Sequence, residues 1–368
     1  MVSGESRGSR GGNDIDRITV GFDVGPALHN QTGVGRYASE LAAHLELQGI
    51  EVKRFAIALR GPSGHHTARW RVPARVVQAG GRWVEQPSIR PLVGRVDVVH
   101  ATNFVLPPLK AIPGVVTVHD LSFFREDIYG GLRRLRDQVP WSVKRARRVI
   151  VPSNAIASET VERLGVSEDK LAVTYEGVAP VFYGASPLAD HALRELGITR
   201  PFMLAAGTIQ PRKNLHRLLA AWRAAASDLP GWTLVLAGPA GWGPGLPETP
   251  GVRPIGWIGD QTLPGLLAAA EVFCYPSLYE GFGLPPLEAM AAGTPSLVGR
   301  YPAAEEVVGD AAWVVDPLNV EAMADGLTLL ATDRRLRQRL TMTGRVRAAG
   351  FTWERTAAAT IEAYRSVL

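Results

Sequence analysis

Cysteine and long apolar runs are scarce in this sequence, and both absences limit what the protein can be. The 368 residues include one cysteine, Cys274, so an internal disulfide is excluded. Because Cys274 lies in the apolar run Val272–Tyr275, we interpret it as a small buried hydrophobe rather than a nucleophile. No apolar run reaches the roughly 18 residues that a membrane-spanning helix needs.

A signal peptide is also missing from the N-terminal segment. Residues 1–16 are rich in Gly, Ser and Arg and contain no apolar core. We therefore expect a flexible leader over residues 1–16 and a cytoplasmic protein. Asp14 and Asp16 in this segment have the Asp-x-Asp spacing that binds metal in another transferase fold. That fold is not implied for this chain by the spacing, because both residues precede the first predicted strand, and we interpret the spacing as chance.

Composition and charge fit a globular protein with an anionic partner. Hydrophobic residues make up 46% and charged residues 20%, and the length predicts two domains. The net charge of +5 suits nucleic acid, an anionic membrane or a diphosphate. We favour nucleic acid least, because the sequence contains no recognised nucleic-acid module or aromatic-rich binding signature.

The residues from Tyr279 to Gly293 form the strongest candidate for a ligand site. The run Val272–Tyr275 before them predicts a buried strand, Pro285 and Pro286 suit the start of a helix, and Gly293 suits its end. A glycine loop between strand and helix would aim unpaired helix N–H groups and the positive end of the helix dipole at an anion.

Two carboxylates flank this loop. We expect Glu280 at the strand end and Glu288 in the first turn of the helix, both facing one small polar ligand. Gly281 and Gly283 allow close approach to the backbone. Such a site suits a ligand whose anionic group binds the backbone N–H groups and whose hydroxyls bind the two carboxylates. A nucleotide sugar has both parts.

Strand, loop and helix follow one another at two further places. After the strand Ile18–Phe22, Gly33 and Gly35 would admit a diphosphate or sugar at a helix start, although a plain tight turn fits them equally well. This glycine pair is shorter than the dinucleotide-binding fingerprint, so we favour a nicotinamide-dependent oxidoreductase less. In the second half, Gly207 opens a loop in which Arg212 and Lys213 place two cations before a helix, and two such cations suit a diphosphate.

Histidines end two strands that are apolar on both faces, as parallel strands are. Side chains just past the carboxyl ends of parallel strands point into a ligand crevice, so His119 is a site candidate; a locally hydrogen-bonded histidine is the alternative. For His100, at the end of the preceding strand, we keep that alternative.

A basic segment runs from Leu132 to Arg148. Its apolar residues have helical spacing, and Arg and Lys fill the remaining positions. A solvated helix face explains this pattern, and so does contact with anionic lipid head groups.

Motifs along nearly the whole chain from Ile18 onward resemble glycosyltransferase family 4. Glu280 and Glu288 with seven residues between them are highly specific in this context, whereas Gly-x-Gly alone would be weak. The likeness is carried by Thr32–Tyr37, His119–Phe123, Gly207–Asn214, Pro276–Glu288 and Phe351–Glu354.

The resemblance implies the GT-B fold, an α/β architecture of two Rossmann-like doubly wound domains that face each other across a cleft. Its boundaries would be an N-terminal acceptor-side domain at 17–184, a linker at 185–200, a donor-binding domain at 201–350, and a helix at 351–368 that crosses back to the first domain. It also implies retaining transfer of a hexose from a nucleotide diphosphate sugar, with no metal or other cofactor.

Roles carried over from the family fall on individual residues. Arg212 and Lys213 would hold the diphosphate, Glu288 would bind the ribose hydroxyls, and His119 would lie beside the sugar near the reacting centre. The expected catalytic set consists of His119, Arg212, Lys213 and Glu280. The expected donor-binding backbone consists of Gly35, Gly207, Gly281, Phe282, Gly283 and Leu284.

Donor and acceptor are less closely defined by the resemblance. The stretches around Gly33, His119 and Gln210 are similar to mannosyltransferases that use GDP-mannose, with UDP-linked or other nucleotide hexoses as the rival donors. A noncatalytic nucleotide-sugar-binding scaffold is the alternative of another class. Residues 60–95 and 123–145 are the expected acceptor region, and the basic segment suggests a glycan or lipid-linked acceptor at the cytoplasmic face of a membrane.

Overall fold

The computed structural model describes residues 18–29, 33–57, 67–71, 88–125 and 133–368. The predicted leader with Asp14 and Asp16 lies outside these ranges, as do residues 60–66, 72–87 and 126–132 of the expected acceptor region and the first residue of the basic segment, Leu132. Within the described ranges, no helix is long and apolar enough to cross a membrane.

Parallel strands form a first sheet in the N-terminal half. They are β1 Thr19–Asp23, β2 Glu51–Ile57, β3 Ala68–Trp70, β4 Val98–Ala101, β5 Gly114–Thr117, β6 Arg148–Val151 and β7 Leu171–Val173. Their order is β3-β2-β1-β4-β5-β6-β7. The helices described in this half are α1 Gly25–His29, α2 Gly33–Leu47, α3 Arg90–Val93, α4 Arg133–Arg145 and α5 Asn154–Leu164.

A second parallel sheet follows. Its strands are β8 Phe202–Ala206, β9 Thr233–Ala237, β10 Val252–Gly256, β11 Val272–Tyr275, β12 Ser296–Gly299 and β13 Trp313–Val315, in the order β10-β9-β8-β11-β12-β13. The accompanying helices are α6 Asp190–Glu195, α7 Leu215–Ala225, α8 Leu263–Ala269, α9 Leu284–Ala292, α10 Ala304–Val308, α11 Val320–Thr332, α12 Arg334–Ala348 and α13 Trp353–Arg365.

Strand order reverses once in each sheet, between β1 and β4 and between β8 and β11. This is the doubly wound arrangement, and the predicted fold class is confirmed. Ligands of such sheets bind where the order reverses, beyond the carboxyl ends of the strands. The loops after β8 and β11 therefore lie at the edge where a ligand is expected, and these loops contain Arg212, Lys213 and Glu280.

The last helix packs on the first sheet domain. Trp353 and Tyr364 of α13 are fully buried in one core with Tyr37 and Leu41 of α2. The Tyr364 hydroxyl lies 2.7 Å from Nδ1 of His100, whose Nε2 lies 2.7 Å from the Thr117 hydroxyl. His100 is thus a buried, locally hydrogen-bonded histidine, as interpreted from the sequence.

The predicted linker contains regular structure. Residues 185–200 include α6, and Leu193 and Ile198 are buried in the core of the second sheet domain. The sequence interpretation looked for a strand pattern here and overlooked this short, mostly polar helix, in which Leu193 is buried. The domain boundaries themselves stay a prediction.

Gly177, in the segment after β7, lies against the start of α13. A Cβ atom on Gly177 would overlap the backbone of Thr352 and Trp353, and the adjacent amide of Val178 donates a 3.0 Å hydrogen bond to the carbonyl of Phe351. Only glycine permits this approach of the two backbones.

We expect Gly177→Ala to lower the midpoint of thermal unfolding, because overpacking at a close contact costs about 1–3 kcal/mol. Circular dichroism would measure the midpoint. Gly245→Ala is the matched control, since a Cβ on Gly245 meets open space. Equal midpoints for the two variants would contradict the expectation.

Candidate active site between the two sheets

Glu280 shares its carboxylate among several donors of the second sheet domain. Lys213 Nζ donates to Glu280 Oε1 over 2.8 Å, and the Ser277 hydroxyl donates to the same oxygen over 2.8 Å. Arg212 forms an ion pair with Glu280 Oε2. Lys213 Nζ also donates to the Tyr275 hydroxyl over 2.7 Å. The structure thus joins three predicted catalytic residues in one cluster, in which Glu280 is buried and the two cations are partly buried.

Burial and charge act against each other in this cluster. Burial opposes ionisation of Glu280, but Arg212 and Lys213 outweigh it and lower the pKa of the carboxyl to about 2. Burial lowers the pKa of Lys213 to about 8, although Glu280 acts in the opposite direction. Glu280 is therefore a fixed anion at neutral pH, whereas the Lys213 ammonium titrates within the range in which enzymes are assayed.

Loop geometry fixes the two cations. Arg212 and Lys213 lie in a single 3₁₀ turn, Pro211–Lys213, directly before α7. The next residue, Asn214, has a left-handed φ of 58° and donates from Nδ2 to the carbonyls of Pro276 (3.1 Å) and Pro317 (2.6 Å). Gly207 directly follows β8 and lies beside Lys213: a Cβ atom on Gly207 would be 3.5 Å from the Lys213 Cε. The sequence interpretation included Asn214 in the motif Gly207–Asn214 but did not predict this role for it.

The glycine loop after β11, residues 276–283, contacts the first sheet domain. A Cβ on Gly281 would overlap the carbonyl oxygen of His119, so only glycine fits there. The Ser153 hydroxyl donates to the Gly281 carbonyl over 2.7 Å. Gly283 is the N-cap of α9, and Gly293 is its C-cap, as predicted. The loop is thus held between the two domains at the amino end of a helix.

Glu288 lies further along α9 than predicted. Because α9 begins at Leu284, Glu288 is its fifth residue and lies in the second turn rather than the first. The side chain is buried and forms an ion pair with Arg36 of α2, which also contacts Asp260 Oδ1 over 3.1 Å. Burial raises the pKa of Glu288 even though Arg36 acts in the opposite direction.

Arg36 therefore reaches across the cleft, and the sequence interpretation overlooked it. The sequence did contain a signal for Arg36, because this cation directly follows the predicted site residue Gly35. Gly35 is buried in the first turn of α2. Glu280 and Glu288 consequently have separate cationic partners, Glu280 within its own domain and Glu288 from the other domain.

The imidazole of His119 is held on several sides. Its Nε2 donates to the Thr102 carbonyl over 2.8 Å, and Nδ1 lies 3.4 Å from Glu176 Oε1. The ring of Tyr37 meets it edge-on, with 4.7 Å between centroids. Glu176 was not predicted as a site residue, although a carboxylate just beyond the carboxyl end of β7 was the available signal. Both ring nitrogens thus face protein groups, and the predicted contact of His119 with the sugar stays a prediction.

Other candidate chemistry is limited within the described ranges. No three His, Cys, Asp or Glu side chains are grouped there in a way that could hold a metal ion. Cys274 is buried in β11, and burial raises the pKa of its thiol to about 12, in agreement with its interpretation as a small hydrophobe.

Sequence comparisons decide the family. Residues 31–181 match the family model described as Glycosyltransferase Family 4, and residues 192–347 match the one described as Glycosyl transferases group 1. The O-antigen chain mannosyltransferase B of Escherichia coli is 32% identical over 286 residues, which cover 73% of this chain and 74% of that relative. The chain belongs to glycosyltransferase family 4. It is a glycosyltransferase, an enzyme that transfers a hexosyl group.

Solved structures agree on the fold of this glycosyltransferase. Sucrose-phosphate synthase from Thermosynechococcus elongatus matches with a TM-score of 0.74 at 19% identity, over 95% of this chain and 99% of that one. Anabaena HepE in complex with UDP-glucose matches with a TM-score of 0.70 at 18% identity, over 95% and 100% of the two chains. The architecture is GT-B, as the resemblance implied.

The pKa of Lys213 leads to a pH dependence. We expect kcat/KM for hexosyl transfer to fall as the pH rises through about 8, because the free enzyme then loses the ammonium beside the site. Lys213→Arg should move the fall to higher pH, because a guanidinium stays charged. Initial rates across the pH range would measure both profiles.

Lys170→Arg is the matched control for this experiment. Burial also lowers the pKa of Lys170, but this residue lies before the amino end of β7, away from the cluster. The assignment of the fall to Lys213 would be wrong if Lys213→Arg and wild type lost kcat/KM at the same pH.

Proposed function

We propose that this glycosyltransferase transfers mannose from GDP-mannose to a hydroxyl of a glycan or glycolipid, with retention at the anomeric carbon. The observation that carries the proposal is the cluster of Arg212, Lys213 and the buried Glu280 where the strand order of the second sheet reverses. Two cations at the carboxyl ends of parallel strands suit the diphosphate of a sugar nucleotide.

The cations stabilise the leaving group. As the bond between the sugar C1 and the phosphate oxygen breaks, negative charge grows on the diphosphate, and Arg212 and Lys213 balance it electrostatically. We propose that this neutralisation needs no metal. Glu280, released from part of its pairing by the incoming diphosphate, accepts hydrogen bonds from the donor sugar.

Retention follows from attack on the face that the leaving group departs from. The acceptor oxygen bonds to C1 on that face, and its proton passes to the departing phosphate oxygen. Neither Glu280 nor Glu288 acts as a nucleophile, and Glu288 binds the ribose hydroxyls once these displace Arg36. Charge on the site, rather than a covalent intermediate, supplies the catalysis.

The mannose assignment rests on likeness to relatives. The Escherichia coli relative that shares 32% of its aligned residues is a mannosyltransferase. A UDP-linked hexose is the second candidate, because HepE binds UDP-glucose on the same fold. Both donors would present a diphosphate to the same pair of cations, so the choice depends on the base and the sugar.

Calorimetric titration with GDP, UDP and their mannose and glucose conjugates, without added metal, tests the donor site. We expect GDP and GDP-mannose to bind most tightly, and Lys213→Ala and Glu288→Ala each to weaken binding by about tenfold or more, as loss of a charged hydrogen-bonding partner does. Preference for UDP would overturn the mannose assignment, and absence of nucleotide binding would overturn the donor site.

Surface substitutions on the same domain provide the matched controls. Arg335→Ala removes an exposed cation from α12, and Glu321→Ala removes an exposed carboxylate from α11. Neither residue lies in the cluster, so both variants should bind nucleotide as wild type does.

We further propose that the acceptor is lipid-linked and that the protein contacts the cytoplasmic face of a membrane through α4. Arg134 and Lys144 of this helix are exposed, and Arg147 is exposed directly after it. Two other cations have internal partners, because Arg136 donates to the Phe123 carbonyl over 2.7 Å and Arg145 lies over the Trp141 ring. Exposed cations near an anionic surface contribute about 1 kcal/mol each.

Sedimentation with liposomes tests this contact. We expect binding to vesicles that contain anionic lipid and not to neutral vesicles, and weaker binding after Arg134→Ser with Lys144→Ser. Arg335→Ser with Arg339→Ser removes two equally exposed cations from α12 in the other domain and is the matched control. Equal partitioning into anionic and neutral vesicles would contradict the proposal.

A further inference from the structure

Glu306 is a carboxylate of the second sheet domain whose side-chain hydrogen bonds come from the first. Its Oε1 accepts from the Asn154 backbone N–H (2.8 Å), the Asn154 side-chain amide (2.7 Å) and the Tyr175 hydroxyl (2.7 Å). Its Oε2 accepts from the Ala155 N–H over 3.2 Å. One side chain of α10 is therefore docked on the amino end of α5.

The chemistry of this contact is that of a helix cap supplied by another domain. The first N–H groups of an α-helix have no partner within the helix, and the helix dipole places partial positive charge there. Glu306 satisfies two of these N–H groups with a full negative charge. Arg347 in turn holds the backbone of α10, since its Nε donates to the Val307 carbonyl over 2.9 Å.

The same end of α5 also holds the glycine loop of the donor site. Ser153, the N-cap of α5, accepts from the Ile156 N–H over 3.2 Å and donates to the Gly281 carbonyl over 2.7 Å. Tyr175 stacks on Phe282 of that loop, with 6.2 Å between ring centroids. Glu306 and the glycine loop thus contact the same two places of the opposite domain, the amino end of α5 and Tyr175 after β7.

The neighbouring residue, Glu305, is a carboxylate of the same helix that makes no such contact with the other domain. Glu305 is also in α10, but its side chain is 72% exposed and pairs with Arg300 of its own domain. An exposed pair of that kind contributes little to stability. Of these two adjacent glutamates, Glu306 makes the contact between the domains, whereas Glu305 is an exposed charge of its own domain.

We propose that Glu306 is a positioning residue for hexosyl transfer: by capping α5 it keeps the cleft closed and holds the glycine loop, through Ser153 and Tyr175, against the first domain. The part of this inference that concerns activity rests on the proposed function. The part that concerns cleft closure does not, because it can be measured without any sugar nucleotide.

Small-angle X-ray scattering and steady-state kinetics on the full-length protein test the proposal. We expect Glu306→Ala to enlarge the radius of gyration of the free protein and to lower kcat/KM by about tenfold or more, as displacement of a gating contact does. The Michaelis constant for the donor should rise together with a fall in kcat. Glu306→Gln keeps an acceptor oxygen without the charge. It should therefore show a smaller increase in the radius of gyration and a smaller fall in kcat/KM than Glu306→Ala.

Glu305→Ala is the matched control and should equal wild type in both measurements. Circular dichroism establishes that Glu306→Ala is folded, and partial recovery in Glu306→Gln separates positioning from general loss of structure. If Glu306→Ala equals Glu305→Ala in radius of gyration and in kcat/KM, the proposal is overturned. If wild type itself transfers no sugar from any donor, the proposed function fails, and the scattering comparison still judges the closure.

Discussion

The pairing of Glu280 with Arg212 and Lys213 is the interaction on which the rest of the site depends. A buried carboxylate without partners is costly, and removing one member of a buried pair commonly destabilises a protein by roughly 3–5 kcal/mol. Ser277 donates a hydrogen bond to Glu280, and Lys213 donates one to Tyr275, so hydrogen bonds accompany the charge pairing. Glu280 thus fixes the positions of Arg212 and Lys213 at the edge of the second sheet where the strand order reverses.

Attachment of this cluster to the other domain begins one residue earlier in the chain. Tyr279 belongs to the second sheet domain by sequence but is fully buried in a core of the first. Its hydroxyl donates to Glu159 over 2.6 Å and accepts from the Leu121 N–H over 3.0 Å. Any motion between the domains therefore acts directly on the backbone that carries Glu280.

Much of the fold could be predicted from the sequence, because parallel strands buried on both faces leave continuous apolar runs and their glycine loops stand out. The cluster of Arg212, Lys213 and Glu280 could be predicted for the same reason, since each residue follows a recognisable strand. The partners that the opposite domain contributes could not be predicted. Arg36 is 252 residues from Glu288, and Glu306 is 152 from Asn154, so no local pattern connects them.

Helix α13 has a consequence for how the protein forms on the ribosome. Its buried Trp353 and Tyr364 complete a core that otherwise consists of residues of the first sheet domain, mainly from its strands and α2, and of further α13 residues. These two side chains are synthesised only after every strand of the second sheet. Domains usually fold in the order of their synthesis, but this core lacks its α13 side chains until the second sheet has been synthesised, and we expect the nascent chain to expose the apolar surface that α13 later covers.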